Sequence, residues 1–144
     1  MESLRKIIKY YIPEDIELIS IDIDSKASFI KVIIDSINDI SIEKTAVLAR
    51  KIKNDESLIS NFPKGLKLEV GTPGIGSNLE KKFQYIKNIG RKIQLKYRLN
   101  SNIISKTYTL LDANEFGIIV KDGNNKHNVD YSHIISASVN ISFD

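Results

Sequence analysis

Apolar residues recur at two different periods along this chain, and the change of period divides it. From Ser3 to Tyr11, Leu4, Ile7, Ile8 and Tyr11 fall at helical spacing with Arg5, Lys6 and Lys9 between them, and Pro13 ends the pattern. A short amphipathic helix is predicted there. Ile19, Ile21 and Ile23 then alternate with Ser20 and Asp22, and Ile30, Val32 and Ile34 alternate within Phe29 to Asp35. The polar Asp24-Ser25-Lys26 between the two runs makes them a hairpin. Ser41 as an N-cap, Glu43 in the first turn and an apolar stripe of Ile42, Ala46, Ala49 and Ile52 predict a second helix from about Ile42 to Asn54. After the breaker Pro63-Lys64-Gly65, Leu66, Leu68 and Val70 alternate with Lys67 and Glu69 as a third strand. The order α-β-β-α-β implies an α+β layer, a three-stranded sheet with helices on one face. The long connection through the second helix makes strands two and three parallel.

Beyond this strand, Leu79, Phe83 and Ile86 mark another short helix, which Gly90 would close as a C′ residue. From Lys92 onward the period is two. Ile93, Leu95 and Tyr97 form one run, Tyr108 and Leu110 a second, Phe116 to Val120 a third, Val129 and Tyr131 a fourth, and Ile135, Ala137, Val139 and Ile141 a fifth. Asn100-Ser101-Asn102, Asp112-Ala113-Asn114 and Asp122-Gly123-Asn124 supply turn residues between runs. Five short strands without a helix imply a small antiparallel barrel. The boundary falls near Asn88 to Arg91, giving an α+β domain over residues 1–88 and an all-β domain over 89–144.

Composition narrows the chemistry. The 144 residues include no cysteine, which excludes disulfides, zinc-thiolate sites and cysteine nucleophiles. Glu2, Arg5, Lys6 and Lys9 argue against a signal peptide, and no window approaches ~18 consecutive apolar residues, so a soluble, cytoplasmic protein with no membrane association is expected. Net charge is +3, unevenly placed: residues 1–80 hold 11 Lys or Arg against 13 Asp or Glu, whereas residues 81–144 hold 10 against 5. Lys81, Lys82, Lys87, Arg91, Lys92, Lys96 and Arg98 form a run with no acidic residue among them. A chain rich in Ile, Lys and Asn explains the number of lysines, though not the missing acids. Such a stripe attracts phosphate backbones by counterion release, and the helix-strand junction is the expected electrostatic footprint. Tyr85 and Tyr97 lie within it, placed either to stack on unpaired bases or to fill the core.

Catalytic candidates are sparse. His127 and His133 are the only histidines, and Asp130 beside them does not complete a metal site; both are expected as surface or strand-end residues, with no catalytic residue, metal or cofactor. The loop Gly71-Thr72-Pro73-Gly74-Ile75-Gly76-Ser77 follows a strand and precedes a basic helix, a setting where amides gather round anions. It fits neither nucleotide template: Gly76 is followed by Ser77 rather than lysine, and Leu79 stands where G-x-G-x-x-G needs its third glycine. A type II turn at Pro73-Gly74 accounts for it, with a backbone able to touch RNA phosphate and no small-molecule substrate.

Leu68-Glu69-Val70-Gly71-Thr72-Pro73-Gly74-Ile75 resembles the L-E-V-S-S-P-G-[LI] signature of the RimP family of ribosome maturation factors. Ile34-Asp35, Ser41-Ile42-Glu43, an aromatic at Phe83 or Tyr85, and Gly90-Arg91 match further positions in the family's order. Where that family commonly has D-R-P-L, this chain has Gly76-Ser77-Asn78-Leu79 and no basic residue. The resemblance implies that the barrel is SH3-like or Sm-like. It also implies a non-enzymatic assembly factor that binds the free 30S small ribosomal subunit late in maturation, contacting 16S rRNA and a small-subunit ribosomal protein. A monomer is expected, because no long apolar stripe is left over. Two rival classes remain: a protein-binding adaptor using the barrel edge or the groove between domains, and an anion- or nucleotide-binding enzyme fragment using the glycine loop.

Overall fold

The computed structural model describes residues 2–74 and 76–140, and the chain divides into two compact units, Met1–Pro73 and Gly74–Asp144. Ile75 of the glycine loop and Ile141 of the expected last strand lie outside the described residues.

In the first unit α1 (Glu2–Tyr11) precedes the antiparallel strands β1 (Glu17–Asp24) and β2 (Phe29–Asp35). Their turn is held by the Ala27 N–H donating to Asp24 Oδ1 at 3.1 Å. α2 (Ile42–Lys53) starts as its sequence dictates, with Ser41 Oγ accepting from the Lys44 N–H at 3.1 Å. β3 (Lys67–Gly71) then pairs parallel with β2, from Phe29 opposite Lys67 to Ile33 opposite Gly71. Ile30, Val32 and Ile34 of β2 are buried with Leu4 and Ile8 of α1 and with Leu48 and Ile52 of α2, so one face of the three-stranded sheet carries the core.

Two expectations about this unit need correction. The buried side of α2 is Leu48 and Ile52, flanked by half-buried Thr45 and Ala49, while Ile42 and Ala46 are exposed. The stripe is rotated towards Leu48 because Leu48 and Ile52, one turn apart, carry more apolar area than the small Ala46. There is also a third helix, α3 (Glu56–Ile59), which the pattern does not predict because a single turn has no periodicity to read. Asp55 caps it through its own Oδ1 and the Leu58 N–H, and Leu58 is fully buried. The other Asp55 oxygen accepts from Tyr11 Oη at 2.6 Å, tying α1 to α3, and this bond holds the carboxyl below its usual range.

The second unit begins with α4 (Lys82–Ile86) and continues as β4 (Lys92–Leu99), β5 (Asn102–Ala113), β6 (Gly117–Asp122), β7 (Asn125–Asp130), a 3-10 turn (Tyr131–His133) and β8 (Ile134–Val139). Neighbouring strands pair antiparallel in the order β7-β6-β5-β4-β8. β7 and β8 do not pair among the described residues, so the five-stranded antiparallel sheet is not closed there. Ile93, Leu95 and Tyr97 point to its buried side with Tyr108, Leu110, Ile118, Val120, Val129 and Ala137. The Tyr97 and Tyr108 hydroxyls share a hydrogen bond of 2.9 Å inside this core. Desolvation and that bond push the Tyr108 phenol well above its ordinary value, and burial pushes Tyr85 up to about 12.

Four details of this half differ from expectation. Asp112 and Ala113 still pair with Ile119 and Ile118, so the turn falls at Asn114, whose Oδ1 accepts from the Phe116 and Gly117 N–H groups. Tyr131 leaves the fourth strand for the 3-10 turn. On α4 the buried residues are Gln84 and Tyr85, not Phe83 and Ile86, because Tyr85 enters the sheet's core. Gly90 lies beyond the helix end at Lys87 rather than capping it: with φ +94 it turns its N–H onto the Leu110 carbonyl at 2.7 Å. No helix among the described residues is long and apolar enough to cross a membrane.

Candidate nucleic-acid interface

Strand alternation sorts the basic run. With Ile93, Leu95 and Tyr97 buried, Lys92, Gln94, Lys96 and Arg98 project together from the opposite face of β4, all exposed. The cross-strand neighbours of the first three are polar, with Lys92 opposite Thr109, Gln94 opposite Thr107 and Ser138, and Lys96 opposite Ser105 and Ser136, whereas Arg98 stands opposite the exposed Ile103. Gln94 bridges the strands, accepting from Thr107 Oγ1 at 2.7 Å. Among the described residues the side chains of Lys92, Lys96 and Arg98 have no hydrogen-bond or ion-pair partner. Three exposed cations thus stand on one side of one strand, Lys92 and Lys96 flanked by hydroxyls, with no compensating partner among the described residues. This geometry suits a polyanion, because each cation can meet a phosphate without breaking an interaction within the protein.

The other four basic residues do not join that face in one array. Lys82 donates its Nζ to the Glu115 carbonyl at 2.6 Å and lies 5.6 Å from the centre of the Tyr131 ring. Nearby, two hydrogen bonds from Ser132 hold the Asp130 carboxyl below its usual range, with His133 and Lys82 adding to the effect. Lys82 is therefore a staple between α4, the β5–β6 turn and the 3-10 turn. Replacing it with alanine is expected to lower the second unit's stability by about 0.5–1 kcal/mol, read by thermal melting, with little change in polyanion affinity. Arg91 reaches Asn88 Oδ1 at 3.3 Å, Lys87 is half-buried, and Lys81 is exposed just before α4. Tyr85 and Tyr97 are buried, so neither is a stacking platform; both are core residues.

The glycine loop is a turn. Gly71 ends β3, Thr72 is exposed and Pro73 half-buried. The bend lies later than Pro73-Gly74: the Ser77 N–H donates to the Gly74 carbonyl at 3.1 Å, and Gly76 rather than Gly74 takes a positive φ, +91. A side chain at Gly76 would strain this backbone, which explains the glycine. The loop does not run into a helix N-terminus, since Asn78 and Leu79 first dock on β8. There Asn78 Oδ1 accepts from the Ala137 N–H at 2.9 Å, and the Leu79 N–H donates to the Ala137 carbonyl. The Glu80 and Lys81 N–H groups at the start of α4 are both taken by Gln84 Oε1. Gln84 and Asn78 organise this segment, and no pattern in the sequence marks either. His127 and His133 are both exposed, the first with its ring edge against Tyr108. No group of three or more His, Asp or Glu is placed to hold a metal among the described residues.

Fold and surface define an α+β chain of two compact units whose second carries a basic sheet face with no ion-pair partner among the described residues. Curated sequences include relatives of part of this chain. The chain is 34% identical over 79 residues to the ribosome maturation factor RimP of Christiangramia forsetii, covering 55% of this chain and 49% of that protein. It is 33% identical over 73 residues to RimP of Chlorobium luteolum (48% and 42%) and 31% over 90 residues to RimP of Prosthecochloris aestuarii (57% and 50%). These matches show a relationship to the RimP family of ribosome maturation factors. The chain matches about half the length of each of these relatives. No protein-family model matches it.

Proposed function

We propose that this chain is a non-catalytic ribosome maturation factor that binds the free 30S small subunit, contacting 16S rRNA and a ribosomal protein, and assists its late assembly in the cytoplasm. The observation that carries the reading is the outer face of β4, where Lys92, Lys96 and Arg98 stand together without a compensating acid among the described residues. Kinship with RimP supplies the kind of polyanion such a face would meet. Lys81 and Lys87 add charge ahead of the sheet, and the Gly71–Ser77 turn adds shape rather than a ligand cradle. The second unit reads further as an SH3-like barrel: its last strand, after a 3-10 turn, returns to pair with the first strand of a four-stranded meander.

Sedimentation of the purified chain with free small subunits and with mature ribosomes tests the reading. Co-migration with free small subunits at low salt, weakening steeply as salt rises, is the expected result. Absence of co-migration at low salt would overturn it.

A further inference from the structure

We propose that the cationic surface continues beyond β4 across the outer face of the sheet, through Lys121 and Lys126, and that this row takes the phosphodiester backbone of RNA. The inference rests on the reading that the chain binds ribosomal RNA, and adds to it two residues and a direction.

Register carries it. Lys92 stands opposite Thr109, Thr109 opposite Lys121, and Lys121 opposite Lys126. Residues directly opposite in antiparallel strands project from the same face, so these four side chains form one row perpendicular to the strands. With neighbouring strands about 4.8 Å apart, the row crosses about 14 Å of surface. Lys92, Lys121 and Lys126 are exposed, and no ion pair compensates any of them among the described residues. Lys106 shows the contrast: it lies off this row and is paired with Asp122.

The pairing of Lys121 with Lys126 sharpens the point, because like charges directly opposite each other destabilise a sheet. An anion lying over both would remove that cost. Lysine on an edge strand also discourages strand addition, which accounts for Lys126 on β7. It does not account for Lys121 on β6 or Lys92 on β4, which are interior strands. The acids of the same face are at its other end, where Asp112 stands opposite Ile119 and Asp130 opposite Gly117. A phosphate backbone crossing the strands from Lys92 to Lys126 therefore meets cations and the Thr109 hydroxyl while avoiding both carboxylates.

The test is binding of the full chain to deproteinised 16S ribosomal RNA, followed as salt is raised from about 0.05 to 0.2 M. In Lys121→Ala/Lys126→Ala, the slope of log affinity against log salt should become shallower by about 1.4–1.8, with roughly tenfold weaker binding at the low-salt end. The melting temperature should hold or rise, because the like-charge pair is gone. Lys121→Arg/Lys126→Arg keeps the charge and should retain both affinity and slope. Unchanged affinity and slope in the alanine variant, with the parent chain binding normally, would overturn the row while leaving the proposed function intact. Loss of binding in the arginine variant would overturn it too, by showing a structural role. Failure of the parent chain itself to bind the RNA would remove the proposed function, and the row with it.

Discussion

Reversing Lys92, Lys96 and Arg98 to glutamate is expected to abolish association with the small subunit at physiological salt. Removing one cation that neutralises a phosphate should make the salt slope shallower by about 0.7–0.9, so the triple change accounts for about 2–3 and for affinity on the order of a hundredfold at low salt. Reversal adds repulsion to that loss. The substitutions sit on the outer face, and none of the three side chains has a partner among the described residues, so stability should stay within about 0.5 kcal/mol. The comparison variant reverses Lys26, Lys51 and Lys53, three exposed cations of the first unit, and changes net charge equally. Equal loss of binding in both triples would sink a localised interface and leave only a general charge effect.

Gly117→Ala should be the most damaging small substitution in the second unit. Gly117 pairs with Asp130 across β6 and β7, and an added Cβ would overlap the Val129 carbonyl oxygen and come within 2.9 Å of Asp130 Cα. Those atoms are backbone in a paired strand, so relief requires moving the strand. A cost of about 1–3 kcal/mol or more is expected. At about 4–8 °C per kcal/mol for a domain of this size, thermal melting will resolve it. Gly123→Ala provides the contrast. Gly123 sits in the β6–β7 turn at φ +61 with open space around it, so its cost is conformational and about 1 kcal/mol. A Gly117→Ala variant as stable as the parent would contradict the pairing of Gly117 with Asp130.

What is legible in the sequence follows from which interactions are local. On β4 the alternation of Ile93, Leu95 and Tyr97 with Lys92, Gln94, Lys96 and Arg98 is a property of adjacent residues, and it defines both the core face and the charged face. Ser41 as an N-cap and Asp122-Gly123-Asn124 as a turn are equally local. The phase of α2 is not, because small alanines carry little information about which side is buried. Lys82 belongs to the basic run by its place in the sequence, but its partners, Glu115 and Tyr131, are more than 30 positions away along the chain. Lys121 and Lys126 are invisible as members of a row for the same reason, since only strand register brings them beside Thr109. Gln84 and Asn78 bond mainly to backbone groups, which leaves no compositional trace.

The hydroxyl pair between Tyr97 and Tyr108 has a consequence for folding errors. A slip of β4 by one residue would turn the Tyr97 phenol away from Tyr108 and drive Lys92, Lys96 and Arg98 towards the apolar interior. Burying even one of those charges unpaired costs more than the slipped strand can recover, so the charged face of β4 also proofreads the sheet. Variants that neutralise the three cations should then populate misregistered β4 more readily, and their yield of correctly folded protein should fall even where the stability of the correctly folded form does not.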